Sequence, residues 1–341
     1  MVKSPLVSVL LPVYNAASYV QEAIESILSQ TYQKFELIVI NDGSTDGSGQ
    51  IIKAIHDPRI RVIDQPNRGL SNALNRAIEA AQGDYLARQD ADDIALPQRF
   101  ERQVDFLEGH LNVAIVGTWA EVRSDKPTTE KIYAPPTDSS VLKFELLFDN
   151  PFVHSSMMLR SQALHHVRGY TEDRAVRAED YDLWSRVARE YEVGNIPETL
   201  QIYRDTPNSK LKNERTAVLD NVITISITNL EWITKRDQGD LAINDLSALL
   251  HGAYHRVRGH STLNELTALL FEAADTLSHG GIGQVELLQE KVRAQCKAVC
   301  YHYELYSRYH KGGKLRRKVI RLAEMIMQAT PFHRNSDGRD L

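Results

Sequence analysis

Three aspartates, Asp90, Asp92 and Asp93, crowd into the short segment Arg88–Asp93. The segment follows a strand-like run and precedes a helix that Pro97 opens, so we expect it at the carboxyl end of a strand, where open α/β sheets bind ligands. Two like charges about 4 Å apart repel by about 4 kcal/mol at an effective dielectric of about 20. A divalent cation such as Mn²⁺ or Mg²⁺ relieves that repulsion, because carboxylate oxygens are its preferred ligands. The alternative is a solvated acidic turn in which Asp93 caps the next helix.

Other polar residues follow the neighbouring strand-like runs. Asn41–Ser48 is a tight, glycine-containing connection, and its Asp42 can accept a hydrogen bond from a ring N–H such as that of uracil. Tyr14, in the segment Pro12–Asn15, can stack on a base, and Arg68 can pair with a phosphate. Each feature also has an ordinary explanation, because Asn, Asp, Gly and Ser favour turns. The chain has no G-x-G-x-x-G pattern here, which argues against a dinucleotide site.

A second acidic pair, Glu179 and Asp180, opens a predicted helix. Carboxylates in a first helical turn complement the helix dipole, so charge bias alone explains the pair in one interpretation. In the other interpretation, Asp180 is a general base that faces the cleft at the sheet edge. His154, in the segment Pro151–Ser156, can line the side of that cleft where an acceptor molecule would bind. A lone histidine is, however, more often structural.

The elements that must position these residues alternate between strands and helices over the first half of the chain. Val7–Val13 and Phe35–Ile40 are continuous apolar runs, as expected of parallel strands buried on both faces. A capping-box pattern begins at Ser18 and precedes a helix. A helical stripe over 70–81 is expected to end at Gly83. This alternation predicts an α/β fold with a mostly parallel sheet and flanking helices.

Beyond about residue 206 the pattern changes to helices alone, which follow a predicted linker at Thr206–Ser209. They are expected at roughly 213–236, 240–257, 261–278, 283–309 and 314–329. The basic, amphipathic stretch 311–322 can lie on an anionic membrane surface. The alternatives are a solvated basic face on a packed helix and a surface for self-association into a homo-oligomer.

The composition is that of an ordinary globular protein. With 341 residues and 42% hydrophobic content, the chain can build a sizeable core without disulfides. The net charge of −5 gives no indication of a nucleic-acid partner. The only two cysteines, Cys296 and Cys300, are poorly placed for a disulfide on a helix and are predicted to be reduced. No uncharged apolar stretch reaches the roughly 18 residues of a membrane span, so we expect a soluble or peripheral protein in a reducing compartment.

Taken in order, these segments resemble glycosyltransferase family 2, the inverting, nucleotide-sugar-dependent enzymes of the GT-A fold. The residues that carry the resemblance are Pro12–Asn15, Asn41–Ser48, Asn67–Gly69, Asp90–Asp93 and Glu179–Asp180. Each motif is modest by itself, but all five occur in sequence, each at a predicted strand end or helix start. The resemblance covers about residues 5–205. It therefore implies a GT-A catalytic domain at 1–208, with a Rossmann-like sheet and flanking helices. The resemblance says little about the rest of the chain, where the helical pattern predicts an all-helical region at 209–341.

The resemblance also implies a role for individual residues. Those assigned to the nucleotide sugar are Pro12, Tyr14, Asp42, Arg68 and Asp90, with Asp42 on uracil if the donor is a UDP-sugar. Asp92 would be the direct ligand of a divalent metal, Mn²⁺ or Mg²⁺, bound to the diphosphate. Asp180 would be the catalytic base, and Glu179, His154 and Trp184 would shape the acceptor side.

The implied reaction moves a sugar to a hydroxyl of a glycan or a lipid-linked glycan. Its implied setting is the synthesis of a bacterial cell-surface polysaccharide, such as O-antigen or capsule. That places the protein in the cytoplasm, peripheral at the inner face of the cell membrane. One alternative is a nucleotidyltransferase, which would carry a glycine-rich loop where this chain has Pro12–Asn15. Another is a catalytically inactive module that binds nucleotide sugars.

Overall fold

The computed structural model describes residues 4–124, 131–173, 177–205, 215–259, 261–278 and 282–311. The chain divides into two compact units. The α/β unit lies within residues 1–142 and 150–213, and the helical unit lies within residues 143–149 and 214–341. The boundary predicted at residue 208 falls in 206–214, outside the described residues, and stays a prediction.

The α/β unit is built on one nine-stranded sheet. Its strands are β1 (Val7–Val13), β2 (Phe35–Asp42), β3 (Ile60–Gln65), β4 (Tyr85–Arg88), β5 (Ile94–Ala95), β6 (Val113–Ser124), β7 (Lys131–Tyr133), β8 (Met158–Arg160) and β9 (Glu192–Asp205). The order across the sheet is β3-β2-β1-β4-β8-β6-β9-β5, and β7 pairs with β6.

The first four strands form a parallel half-sheet. All residues of β1 are buried, and β2 is nearly so, which explains their continuous apolar sequences. The short strand β8 then runs antiparallel to both β4 and β6, so the sheet becomes mixed. Because β1 to β4 are parallel neighbours, the residues that follow them meet at one edge of the sheet.

Seven helices of the described chain accompany these strands: α1 (Val20–Leu28), α2 (Ser48–Ala54), α3 (Leu70–Ala80), α4 (Arg99–Gly109), α5 (Ser139–Glu145), α6 (Ser161–His166) and α7 (Glu179–Glu190). The capping box expected at Ser18 is wrong, because α1 begins after Tyr19 and has no side-chain cap. Gly83 does not end α3 either, since that helix ends at Ala80 and its C-cap residue, Ala81, has extended backbone. Gly83 instead allows a close approach, because a Cβ there would lie 2.6 Å from the Ser8 nitrogen.

The helical unit contains four long helices in its described part: Arg215–Thr234, Leu241–Leu250, Leu263–Leu277 and Ile282–Lys311. Asp240 caps the second, and Thr262 caps the third in a capping box. Among the described residues, no helix combines the length and apolar character needed to cross a membrane. The predicted helix 314–329 lies outside the described residues, as does the basic stretch 311–322 beyond Lys311.

The segment 143–149 belongs to the helical unit although it lies far from the rest of that unit in sequence. Asn229 donates to the Leu146 carbonyl oxygen at 2.8 Å, and a ring nitrogen of His251 lies 2.8 Å from the Phe148 carbonyl oxygen. Lys291 forms an ion pair with Glu145 at 2.6 Å. Because backbone carbonyl groups of the segment are bonded to these helices, the segment is an integral part of the unit.

Candidate functional site

The carboxyl edge of the parallel half-sheet collects the residues predicted to bind the nucleotide sugar. Tyr14 directly follows β1 and is 55% exposed, while Pro12 is buried within that strand. Asp42 is the last residue of β2, and the exposed Arg68 follows β3. Asp90 follows β4, which pairs with β1. The structure thus brings the ends of four neighbouring strands together, about 5 Å apart from one strand to the next.

The acidic turn, Asp90 to Asp93, joins β4 to β5. One carboxylate oxygen from each of Asp90, Asp92 and Asp93 lies within 4.8 Å of the others. Asp93 is fully buried, where the Ser155 hydroxyl donates to one of its oxygens and the Arg204 backbone N–H donates to the other at 2.8 Å. Asp93 therefore fastens the turn to the fold and leaves Asp90 and Asp92 nearer the surface.

Burial and the neighbouring carboxylates together raise the pKa values of Asp92 and Asp93. Burial raises the pKa of Asp92 to about 6, and the neighbouring Asp90 adds to the rise. Burial also holds the pKa of Asp93 well above its usual range, with contributions from Asp90 and Asp92. Among the described residues, no side chain donates a hydrogen bond to the Asp92 carboxylate. This donor set fits a hard divalent cation, with Asp92 as the ligand whose lone pairs are accessible.

Two buried arginines lie behind the acidic turn, and the sequence analysis did not identify either. Arg88, at the end of β4, is only 1% exposed and forms an ion pair with Asp90 at 2.5 Å. Arg99, in the first turn of α4, is completely buried and donates all five of its N–H groups to neutral oxygens. Its acceptors, at 2.6–3.3 Å, are the side chains of Gln89, Gln103 and Gln201 and the carbonyl oxygens of Arg88 and Met157.

Arg99 therefore joins α4, the end of β4 and the strand β9 beneath the acidic turn. Burial lowers its pKa to about 9, and the nearby Arg88 contributes to the fall. Even so, the side chain remains charged at neutral pH. The only signal in the sequence is that Arg99 and Gln103 lie four residues apart on the apolar face of a predicted helix, where polar residues are unusual.

Arg204 is a third cation that the sequence analysis missed. Besides its backbone contact to Asp93, its guanidinium donates to the Asp92 carbonyl oxygen at 3.2 Å and to Glu22 of α1 at 2.5 Å. It also lies over the Tyr19 ring, 5.5 Å from the ring centroid. These contacts fix the acidic turn between the end of β9 and the start of α1.

Asp42 is buried, and both of its carboxylate oxygens accept hydrogen bonds from the chain itself. One oxygen accepts from the Gln65 side chain and the Arg68 backbone, both at 2.8 Å. The other accepts from the Gly69 backbone at 2.9 Å. Asp42 therefore holds the connection between β3 and α3 in place, a role that the sequence analysis did not foresee. Its predicted contact with a nucleobase stays a prediction.

Asp180 lies in the first turn of α7, as predicted, and is partly buried. Its two oxygens accept hydrogen bonds from the Tyr181 backbone and from the Asn150 side chain, both at 2.8 Å. Burial raises the pKa of Asp180 to about 7, the Glu179 carboxylate adds to the rise, and the positive charge of Arg88 opposes it. A carboxyl group with a pKa near neutrality suits proton transfer at physiological pH.

Two of the three residues predicted for the acceptor side, His154 and Trp184, form an aromatic cluster with Tyr170. A ring nitrogen of His154 lies 2.8 Å from the Tyr170 hydroxyl, and the His154 ring packs edge-on against Trp184 with centroids 5.8 Å apart. Trp184 is completely buried, so it can affect an acceptor only through the residues that it contacts. Glu179 is also buried.

Arg88 connects the two acidic groups of the site. Its positive charge lowers the pKa values of both Asp92 and Asp180, against the larger effect of burial. Arg88 therefore lies within electrostatic range of both carboxyl groups.

Comparisons with known sequences point to one family. The family model described as Glycosyl transferase family 2 matches residues 8–168. A relative named putative glycosyltransferase EpsE, from Bacillus subtilis (strain 168), is 36% identical over 231 residues. That alignment covers 66% of this chain and 82% of the relative.

Two solved structures are similar in fold at low sequence identity. One is S. aureus TarS 1–349 in complex with UDP-GlcNAc, with a TM-score of 0.58, 15% identity, and coverage of 89% of this chain and 91% of that chain. The other is the mannosyltransferase PcManGT from Pyrobaculum calidifontis in complex with GDP-Man and Mn²⁺, with a TM-score of 0.55, 17% identity, and coverage of 96% and 87%. These likenesses confirm the predicted GT-A fold.

Proposed function

The chain belongs to glycosyltransferase family 2, and we propose that it transfers a sugar from a nucleotide-diphosphate sugar, a UDP-sugar in the first instance, to an acceptor hydroxyl with inversion at the anomeric carbon. The observation that carries the proposal is the acidic turn, in which oxygens of Asp90, Asp92 and Asp93 converge within 4.8 Å at the carboxyl edge of the sheet. That arrangement suits a cation-bound diphosphate.

The donor is proposed to lie along the carboxyl edge, over the ends of β1 to β4. The residues proposed to bind it are Pro12, Tyr14, Asp42, Arg68 and Asp90. The exposure of Tyr14 supports a stacking role, because its ring is accessible to a base. Arg68, which follows β3, is also exposed and can pair with a phosphate. The two structural neighbours are complexes with UDP-GlcNAc and with GDP-Man, which supports a nucleotide-diphosphate sugar as the donor class. The donor screen below is designed to identify the base and the sugar.

Asp180 is proposed to accept the proton of the attacking hydroxyl as the acceptor oxygen bonds to the anomeric carbon. The bond to the diphosphate oxygen breaks on the opposite face, which inverts the configuration. The carboxylate is held by the Asn150 and Tyr181 N–H groups, so its orientation is set before the acceptor arrives. No covalent intermediate with the enzyme is required.

A divalent cation, Mn²⁺ or Mg²⁺, held by Asp92 with help from Asp90, would supply Lewis-acid stabilisation of the negative charge on the departing diphosphate. The protein's own contribution there is to fix the carboxylates. Asp93 anchors the turn through Ser155 and the Arg204 backbone, and Arg88 neutralises part of the charge on Asp90.

The acceptor is proposed to approach the start of α7, where Glu179 and His154 lie near Asp180 and Trp184 supports them from below. A glycan or a lipid-linked glycan of a bacterial surface polysaccharide is the acceptor class that we propose. The alternatives make different products, since a nucleotidyltransferase releases inorganic diphosphate and an inactive binding module releases nothing.

A donor screen tests the proposal. The full chain would be incubated with Mn²⁺ and each of a panel of UDP-, GDP- and TDP-sugars, with released nucleoside diphosphate as the readout. We expect one donor to release nucleoside diphosphate well above the rest, and the release to stop in EDTA. Release of nothing with any donor and acceptor would contradict the proposed reaction. So would release of inorganic diphosphate in a parallel reaction supplied with a nucleoside triphosphate and a sugar phosphate.

We further propose that the basic stretch 311–322 holds the protein at the cytoplasmic face of the cell membrane. Its six lysines and arginines are interleaved with apolar residues in the sequence, a pattern that favours an anionic lipid surface. In a flotation assay with vesicles that contain anionic lipid, the wild-type chain is expected to float. A variant with Lys314, Arg316, Arg317 and Lys318 changed to Glu is expected to sediment, and equal flotation of both proteins would remove the idea.

A further inference from the structure

Asn150 contacts the side chain on which the proposed chemistry depends. Its amide nitrogen donates to one carboxylate oxygen of Asp180 at 2.8 Å. Its own side-chain oxygen accepts from the Phe152 backbone N–H at 2.9 Å. Because a backbone N–H can only donate, the amide can be placed in one orientation, with its NH₂ group toward Asp180.

The second oxygen of Asp180 is also held. It accepts from the Tyr181 backbone N–H at 2.8 Å, within the first turn of α7. The two donors come from different parts of the α/β unit, one from α7 and one from the segment that follows residue 149. Together they fix the plane of the carboxylate, which a single donor would leave free to rotate.

We propose that Asn150 is a positioning residue for the reaction, which orients the Asp180 carboxylate toward the acceptor hydroxyl. The inference rests on the proposed function, because it takes Asp180 as the base. Asn150 is not a catalytic residue, since its amide is engaged by Asp180 and Phe152. A neutral donor suits this role, because a lysine or arginine there would lower the basicity of the carboxylate far more.

The groups that act on Asp180 determine the sign of the expected pH effect. Burial and the Glu179 carboxylate favour the protonated form, and Arg88 favours the charged form. Tyr170, which contacts His154, also faces Asp180 and has a pKa raised by burial, so it stays neutral. The Asn150 N–H can bond only to a lone pair and stabilises the carboxylate. Its removal should therefore shift the pKa of the base upward.

The test is the pH dependence of kcat/KM for wild type, Asn150→Ala and Asn150→Asp. For Asn150→Ala we expect kcat to fall by roughly 10- to 100-fold, as misorientation of a reacting group does, with both KM values within about two-fold. The acid limb of the profile should move up by about one pH unit, the value of a hydrogen bond to a charged group. Asn150→Asp keeps the acceptor for Phe152 and loses the donor, so it should fold and show a larger upward shift.

Two controls separate positioning from simple loss of stability. Asn195 is a buried asparagine of the same unit that donates to the Pro136 carbonyl oxygen at 3.3 Å. Asn195→Ala should lower the Tm and leave the acid limb in place. In the Asp180→Asn background, Asn150→Ala should cause no further loss of the residual turnover, because the group that it positions is already gone.

The outcomes distinguish this inference from the proposed function. An inactive Asp180→Asn together with an unchanged profile for Asn150→Ala and Asn150→Asp would overturn only the role of Asn150. An equal loss from Asn150→Ala in both backgrounds would overturn it as well. Full activity of Asp180→Asn would instead refute the base on which both proposals stand.

Discussion

Replacement of Asp180 by asparagine is expected to lower kcat by about 10²- to 10⁴-fold, the contribution of a positioned general base. Asparagine keeps the shape of the side chain and cannot accept the proton of the acceptor hydroxyl. The loss should appear in kcat more than in the donor KM, since Asp180 is proposed to act on the acceptor hydroxyl and not to bind the nucleotide. The measurement is the release of nucleoside diphosphate under saturating donor and acceptor.

The exposed Glu190, at the other end of α7, offers a matched control, and Glu190→Gln should stay within about two-fold of wild type. Stability gives an independent check. Because the pKa of Asp180 is raised to about 7, the stability it contributes is present at low pH and is lost as pH rises through that value. In EDTA, the Tm of wild type should therefore fall more between pH 5 and pH 8 than that of Asp180→Asn. Parallel Tm curves for the two proteins would contradict a raised pKa at this position.

The second large effect is expected at Asp92. Asp92→Asn should weaken Mn²⁺ binding and lower kcat/KM by about 10²-fold or more, because Lewis-acid stabilisation of a leaving diphosphate is worth several kcal/mol. Calorimetric titration of Mn²⁺ in the presence of the nucleoside diphosphate measures the first effect directly. Metal-dependent nucleotide binding should be lost in Asp92→Asn and kept in Asp180→Asn, which separates the metal ligand from the base.

Asp105→Asn is the matched control for this experiment, since Asp105 is an exposed carboxylate on α4 outside the acidic turn. It should bind Mn²⁺ with the affinity of wild type. If Asp92→Asn also bound Mn²⁺ as tightly as wild type, the assignment of Asp92 as ligand would be wrong. Removal of the metal with EDTA should reproduce the activity loss of Asp92→Asn in the wild-type chain.

Local patterns predicted the parts of the fold whose sequence is nearly decisive by itself. Val7–Val13 is apolar at almost every position, so it can only be a strand buried on both faces, and β1 has those bounds. The acidic turn was predictable because three carboxylates within four residues repel one another, and a bound divalent cation relieves that repulsion. The turn also follows β4, and open α/β sheets bind ligands at the carboxyl ends of their strands. The GT-A fold and the family were predicted from these motifs and are confirmed.

Residues whose partners are distant in sequence could not be predicted from local patterns. Arg99 is held by oxygens up to 102 residues away in sequence, and Asn150 bonds to Asp180 across 30 residues. Neither has a motif, because a hydrogen bond between remote segments leaves no periodic signal. The capping box at Ser18 failed for a similar reason. Its neighbours Ala16 and Ala17 are bonded to Ser48 and Asp46 of another connection, and these contacts set where α1 begins.

The contacts of the segment 143–149 also bear on the order in which parts of the protein can fold during translation. Its partners Asn229, His251 and Lys291 lie 83, 103 and 146 residues later in the chain. At a translation rate of about 5–20 residues per second, the last of them leaves the ribosome roughly 7–30 s after the segment itself. Until then, the segment 143–149, which lies in sequence between the two parts of the α/β unit, lacks partners that have not yet been synthesised.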